Sequence, residues 1–146
     1  MTVRLHSVDQ MDVLVERVVT VLNKRGNQHV QAVVGYDQSR RVRSLRAYVY
    51  DALGREIESY RQRDFKDVSA VDGGTLYTDS RKLYLDYTPV SYPYTFKFTY
   101  EIELKNSAPL PRWYFLNGYR VSTQKSSFDI HFATEDLRPG VMEKHV

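Results

Sequence analysis

From Tyr94 to Leu104 the sequence alternates without a slip: Tyr94, Phe96, Phe98, Tyr100, Ile102 and Leu104 fall on one side, and Thr95, Lys97, Thr99, Glu101 and Glu103 on the other. Successive side chains of a strand point to opposite faces. The stretch therefore predicts one long strand with a buried aromatic face and a wet polar face. Wound as a helix, the same rings would spread around the axis and leave no polar side. Each large side chain contributes about 1.5–3 kcal/mol when fully buried. Four rings on one face can thus supply much of a core, and the rest of the chain is expected to cover them. Pro93 cannot donate to a ladder, which sets the start of this strand near Tyr94.

The remaining chain supplies further strands. Residues 2–8 predict a short first strand. Met11, Val13, Val15, Val19 and Val21 share a period of two, interrupted by Arg17. Residues 23–27, with Gly26 in a positive-φ position, predict a turn, and residues 29–34 are expected to return as the second arm of a hairpin. Residues 42–51 carry Leu45, Ala47 and Val49 on one face. A tight turn with Gly54 left-handed then leads to residues 55–60, whose exposed charges predict an edge strand. Residues 61–79 predict a long loop. Residues 81–87, 121–124 and 127–134 are expected as strands, the last through Phe128, Ile130 and Phe132. No fixed-period repeat and no convincing apolar helix stripe is present. Strands every eight to twelve residues, with turn chemistry between them, predict an all-β fold: a single-domain antiparallel β-sandwich over residues 1–136. Residues 137–146 are expected as a tail or the start of a linker.

Composition narrows the function. The 146 residues contain no cysteine, which excludes disulfides, thiolate metal sites and a cysteine nucleophile in this chain. The net charge of +3 comes from intermixed acids and bases with no stripe of one sign, so nucleic acid is not expected as a partner. No apolar run approaches the ~20 residues of a membrane helix. Met1 leads directly into TVRL, so no signal peptide is expected in the chain itself.

Few residues carry a chemical signature. His6, His29, His131 and His145 lie near no nucleophile-elbow pattern and lack the spacing of a helical zinc pair. Glu101 and Glu103 share a strand face and are close enough for a carboxylate pair, the basis of a lesser alternative as a β-sheet hydrolase; a solvated face, alternating with Thr and Lys, is the expected reading. Asp64, Asp67, Asp72 and Asp79, with Gly73-Gly74, have the oxygens calcium needs but no EF-hand spacing. Turns and Asp–Arg pairing, Asp79 with Arg81 for example, are the expected use. The run Arg40-Arg41-Val42-Arg43 reads as a solvated strand face. Tyr92, Tyr94, Trp113, Tyr114, Phe115 and Tyr119 form the best candidate for a binding patch, since aromatics are enriched in interface cores.

Several segments share one pattern: an "N..G" turn followed by a Tyr36-Asp37 bend; AYVYDALGREI at 47–57; DFKDVSAVDGGTLYTDSR at 64–81; and YPYTFKFTYE at 92–101. In combination, over about residues 15–130, they resemble the domain of unknown function that precedes transglutaminase-like domains of papain-like fold in bacterial exported proteins. The resemblance implies an all-β, sandwich-like, non-catalytic accessory module in a periplasmic or cell-envelope protein. It implies no cofactor and no catalytic residues here, and an adjacent transglutaminase-like domain as partner. The expected binding residues are Tyr92, Tyr94, Trp113, Tyr114, Asp72 and Asp79, facing that domain, a peptide or a glycan. The alternative from another class is a stand-alone carbohydrate-binding module, which requires exposed, coplanar rings.

Overall fold

In the computed structural model, residues 1–70, 79–115 and 118–140 are described. Strand β8 (Tyr94–Leu104) is the centre of the molecule. It pairs along its full length with β2 (Gln10–Val21), Met11 opposite Leu104 and Val21 opposite Tyr94. On its other side it pairs with β4 (Arg40–Tyr50), Arg40 opposite Leu104 and Tyr50 opposite Thr95. With β1 (Thr2–Ser7), β5 (Glu56–Arg61) and β9 (Asp129–Phe132) these make a six-stranded sheet in the order β5-β4-β8-β2-β1-β9. A smaller sheet, β3-β7-β6, contains β3 (Ala32–Tyr36), β6 (Lys66–Ser69) and β7 (Arg81–Leu85). The fold is the all-β, sandwich-like domain that the alternation predicts.

The core lies where the aromatic face of β8 meets the smaller sheet. Tyr94, Phe96, Phe98 and Ile102 are buried, together with Leu45, Ala47 and Val49 of β4 and Val34 and Leu83 of the second layer. Rings lock the layers together. Phe65 meets Phe98 at 6.1 Å between centroids, and Tyr87 lies 5.4 Å from Tyr94 and 5.7 Å from Phe96. Tilted pairs at these separations add to the burial itself. Leu110, Phe128 and Ile130 pack against the same core. On the far face of β8, Lys97 pairs with Glu16 at 2.7 Å and the Thr20 and Thr95 hydroxyls meet at 2.9 Å, so this is the polar face.

Four expectations are corrected. Residues 23–36 are not a hairpin arm on β2. Both sides of β2 are already taken, by β1 and by β8, so β3 crosses to the second sheet and pairs with β7. The turn is a 3-10 helix, η1 (Lys24–His29), capped where the Asn23 side chain accepts from the Arg25 amide at 3.0 Å. Gly26 serves close approach there rather than positive φ: a Cβ would sit 3.0 Å from Val21 Cγ1. Residues 61–79 are not all loop, because a 3-10 helix, η2 (Gln62–Asp64), and β6 lie within them. Residues 121–124 form no strand; the Thr123 hydroxyl instead donates to the Phe115 carbonyl at 2.7 Å. Finally, β9 runs parallel to β1, Thr2 opposite Asp129 and Leu5 opposite Phe132, so the sheet is not wholly antiparallel. A sequence pattern fixes which face a strand buries but not the direction of its neighbour.

Gly54 is left-handed at φ +79, as the turn requires. Asp51 closes that turn, its carboxylate accepting from the Leu53 and Arg55 amides. β5 is an edge strand, as its charges predict. Residues 137–140 add no strand, and 141–146 lie outside the described residues.

Candidate functional site

Tyr92 and Tyr94 stand at the start of β8, where Pro93 ends the preceding turn. Tyr94 is 2% exposed, which places it in the core rather than on a binding surface. Its hydroxyl donates to the Asn27 side-chain oxygen at 3.0 Å. Burial, with Tyr92 and Tyr87 adding smaller effects, pushes its pKa up to about 12. Tyr92 is 37% exposed, and its hydroxyl accepts from the Asn27 amide nitrogen at 2.6 Å. Asn27 thus uses both ends of its amide to tie η1 to the head of β8, a role that its turn-forming character alone did not reveal.

The second aromatic group sits on the segment between β8 and β9. Trp113 stacks on Phe128 at 6.2 Å and donates from Nε1 to the Ser126 hydroxyl at 3.1 Å. That half of its surface is anchored; 40% stays exposed. Tyr114, Phe115 and Tyr119 are 62, 57 and 95% exposed, so none of the three is a core residue. Arg120 is in the left-handed region at φ +63, a conformation that costs a non-glycine residue about 1 kcal/mol or more. A Cβ at Gly118 would meet the His29 ring at 3.8 Å, so this loop rests beside η1, the element that holds Tyr92. Gly118 thus sets this loop against His29, the last residue of η1. Of the exposed rings, Trp113 and Phe115 are tilted by 40° to each other.

The acidic part of the expected site lies elsewhere. Asp72 lies outside the described residues. Asp79 accepts a hydrogen bond from the Gln38 side chain, at the bend between β3 and β4. That bend adjoins Arg40, opposite Leu104, about 33 Å along β8 from Tyr94 at ~3.3 Å per residue. Tyr92 and Tyr94 thus lie at the opposite end of the central strand from Asp79. The expected Asp79–Arg81 pair is replaced: Arg81 Nε binds Asp67 at 3.0 Å, and the Tyr36 hydroxyl donates to the same carboxylate at 2.7 Å. The Tyr36 hydroxyl holds Asp67 below the usual carboxylate range. Asp64 accepts from the Arg61 amide at 2.7 Å, capping η2.

Glu101 and Glu103 are committed to cations on the open sheet face. Glu101 faces Arg4 at 3.9 Å, and Glu103 pairs with Arg43 while accepting from Gln10 at 3.1 Å. His6 binds Asp12 at 2.7 Å. Of these, Glu103 and Arg43 also line a cleft at the Leu104 end.

The cleft at the Leu104 end, of about 480 Å³, opens between β4, the β3–β4 bend and the second sheet. Arg40, Arg41, Arg43 and Lys105 line it, with Asp37, Asp67 and Glu103. Arg40 Nε is buried there without a hydrogen-bond partner among the described residues. An orphaned donor of this kind costs about 1–3 kcal/mol. The only sequence signal for this cleft was the Arg40–Arg43 run, which the expectation of a solvated strand absorbed.

With this geometry in hand, the chain can be placed. Residues 9–141 match the family described as Domain of Unknown Function with solved-structure structure (DUF3857), and the chain belongs to that family. No curated protein matches the sequence. Among solved structures, the fold is similar to part of a protein from Parabacteroides distasonis ATCC 8503 described as a "putative protease". The TM-score is 0.57 at 14% identity, over 73% of this chain and 22% of that one. The chain thus spans about a fifth of the length of that protein.

Proposed function

We propose that this domain is a non-catalytic accessory module of a larger exported protein with a transglutaminase-like or protease-like catalytic domain. It docks on that domain, in the periplasm or cell envelope, and helps present a peptide or glycan substrate to it. The observation that carries the reading is the loop of exposed rings, Trp113, Tyr114, Phe115 and Tyr119, anchored through Trp113. Aromatic side chains fixed at one end and exposed at the other are what interface centres use. The family membership and the similarity to one part of a much longer protein support it. The Arg120 backbone, held left-handed at the loop tip, supports a conformation kept for a purpose beyond packing.

The test is a binding assay between this domain and the remainder of the full-length protein, expressed separately. Saturable binding is expected, weakened about tenfold or more by Trp113→Ala with Tyr114→Ala. Circular dichroism verifies that the variant keeps its sheet. A folded double variant that binds as well as the parent removes the aromatic loop from the interface.

A further inference from the structure

The cleft at the Leu104 end is built along a strand edge rather than on one sheet face. Arg40, Arg41 and Val42 are consecutive with side chains on alternating faces, and Arg43 is the extra residue of a bulge in the pairing with β8, yet all four line it. Only the edge of β4 is common to them. On that side β5 pairs with β4 from Arg46 to Tyr50 and no further. Gln62, just past the end of β5, is the next cleft residue. Arg40 exchanges both of its main-chain hydrogen bonds with Asp37, so among the described residues no strand lies beside β4 from Arg41 to Leu45, about 13 Å of backbone.

The charge of the cleft is unbalanced in the same place. Its three carboxylates are engaged. Asp37 accepts from the Ser39 amide and hydroxyl, both at 2.7 Å. Asp67 holds Tyr36 and Arg81, and Glu103 holds Arg43 and Gln10. Arg41 and Lys105 have no ion pair among the described residues, and Arg40 has only the longer-range attraction of Asp37. The orphaned Arg40 Nε points to the same deficit of acceptors.

We propose that this cleft binds an extended acidic peptide segment, which adds as a strand to the free edge of β4 with its carboxylates on Arg40, Arg41 and Lys105. Strand addition supplies affinity through main-chain hydrogen bonds, and side-chain contacts select the sequence. Cations on an edge strand ordinarily repel further pairing. An acidic strand is the one partner for which they do the reverse. The cleft volume, within the 300–1,000 Å³ common for ligand sites, accommodates such side chains. The proposal does not depend on docking through the aromatic loop.

The probe is a blocked peptide of four Thr-Glu repeats, titrated into the chain by calorimetry and by amide NMR. The matched Thr-Gln peptide and blocked glutamate monomer serve as comparisons. The Thr-Glu peptide is expected to bind about tenfold or more tightly than either, with shifts centred on Arg41–Leu45. Binding should weaken as salt shortens the screening length from roughly 10 Å at 0.1 M to 3 Å at 1 M. Arg41→Gln with Lys105→Gln should weaken it about tenfold, each exposed pair contributing modestly. Lys24→Gln, on η1, should leave it unchanged. No binding, equal binding of the Thr-Gln peptide, or indifference to the double substitution overturns the proposal. Equal affinity for the glutamate monomer overturns the strand-addition half of it.

Discussion

Arg17 interrupts the apolar period of β2, and the structure explains how the fold tolerates it. It occupies the core-facing series between Val15 and Val19, opposite Phe98. Its guanidinium donates to the His29 carbonyl at 2.9 Å, and no carboxylate pairs with it among the described residues. Burial lowers its pKa, the Tyr100 hydroxyl opposing only in part. The environment thus disfavours the charge on balance, while the stem fills space between valines. Two substitutions separate these roles. Arg17→Met keeps the stem and removes the charge. It loses a charged hydrogen bond of about 1.5 kcal/mol and regains desolvation of about 1 kcal/mol, the low end for a half-buried ion. The net change is about 0.5 kcal/mol. Arg17→Ala also loses two methylenes, about 1.6 kcal/mol more at ~0.8 each. Over 146 residues the unfolding entropy is about 0.3 kcal/mol/K, so the Ala variant should melt about 5 °C below the Met variant. Urea midpoints and calorimetry measure the gap, and hydrogen exchange in η1 should quicken in both variants alike. If Met costs as much as Ala, the bond to His29 rather than the stem is what Arg17 contributes, and the reasoning fails.

Two pH dependences follow from the titrating groups. Asp37, Asp51 and Asp67 are held below the usual carboxylate range, chiefly by the Ser39 hydroxyl, the Arg55 amide and the Tyr36 hydroxyl respectively. Depressed folded values mean stability that is full above the unfolded carboxylate value, about 3.9, and lost as pH falls below it. Urea midpoints from pH 7 to 2.5 should drop on that limb, and Asn at all three positions should flatten the drop. At the alkaline end, Tyr94 is raised to about 12, so its contribution is full below pH ~10 and fades as pH rises through 12. Phenolate absorbance should show this late step, and Tyr94→Phe should reduce its amplitude by one ring, since burial raises Tyr60 as well; a Tyr94 that ionises near pH 10 contradicts its burial.

Legibility in the sequence followed the range of the forces involved. β8 was readable because its alternation is a local consequence of one buried face, and the edge character of β5 because charge on an edge is local too. The partner of β3 was not readable. Gly26 and Asn27 announce that β2 ends, but whether the returning chain pairs with β2 depends on β1 and β8 having filled both of its sides first. The parallel setting of β9 escaped for the same reason, since Phe128, Ile130 and Phe132 fix a face and carry no information on direction. β6 was hidden in a short stretch, Lys66–Ser69, whose polar residues read as loop until β7 lies beside them.

The candidate site divides along the same line. Trp113, Tyr114 and Tyr92 were recognisable as residue types suited to binding, and all three are exposed. Tyr94 was drawn in by adjacency, yet strand alternation turns its ring inward while Tyr92, beyond Pro93, remains outside. The grouping of aromatics with Asp79 failed because separation in sequence says little about separation in space. Residues 79 and 92 are near neighbours in the chain, but β7 and the following turn carry them to opposite ends of β8. Conversely, Arg41 and Lys105 are 64 positions apart and line one cleft, because β4 and β8 are antiparallel neighbours in register at Arg40 and Leu104. Pairing converts two unremarkable runs of charge into a single cationic edge, and no window along the sequence contains both.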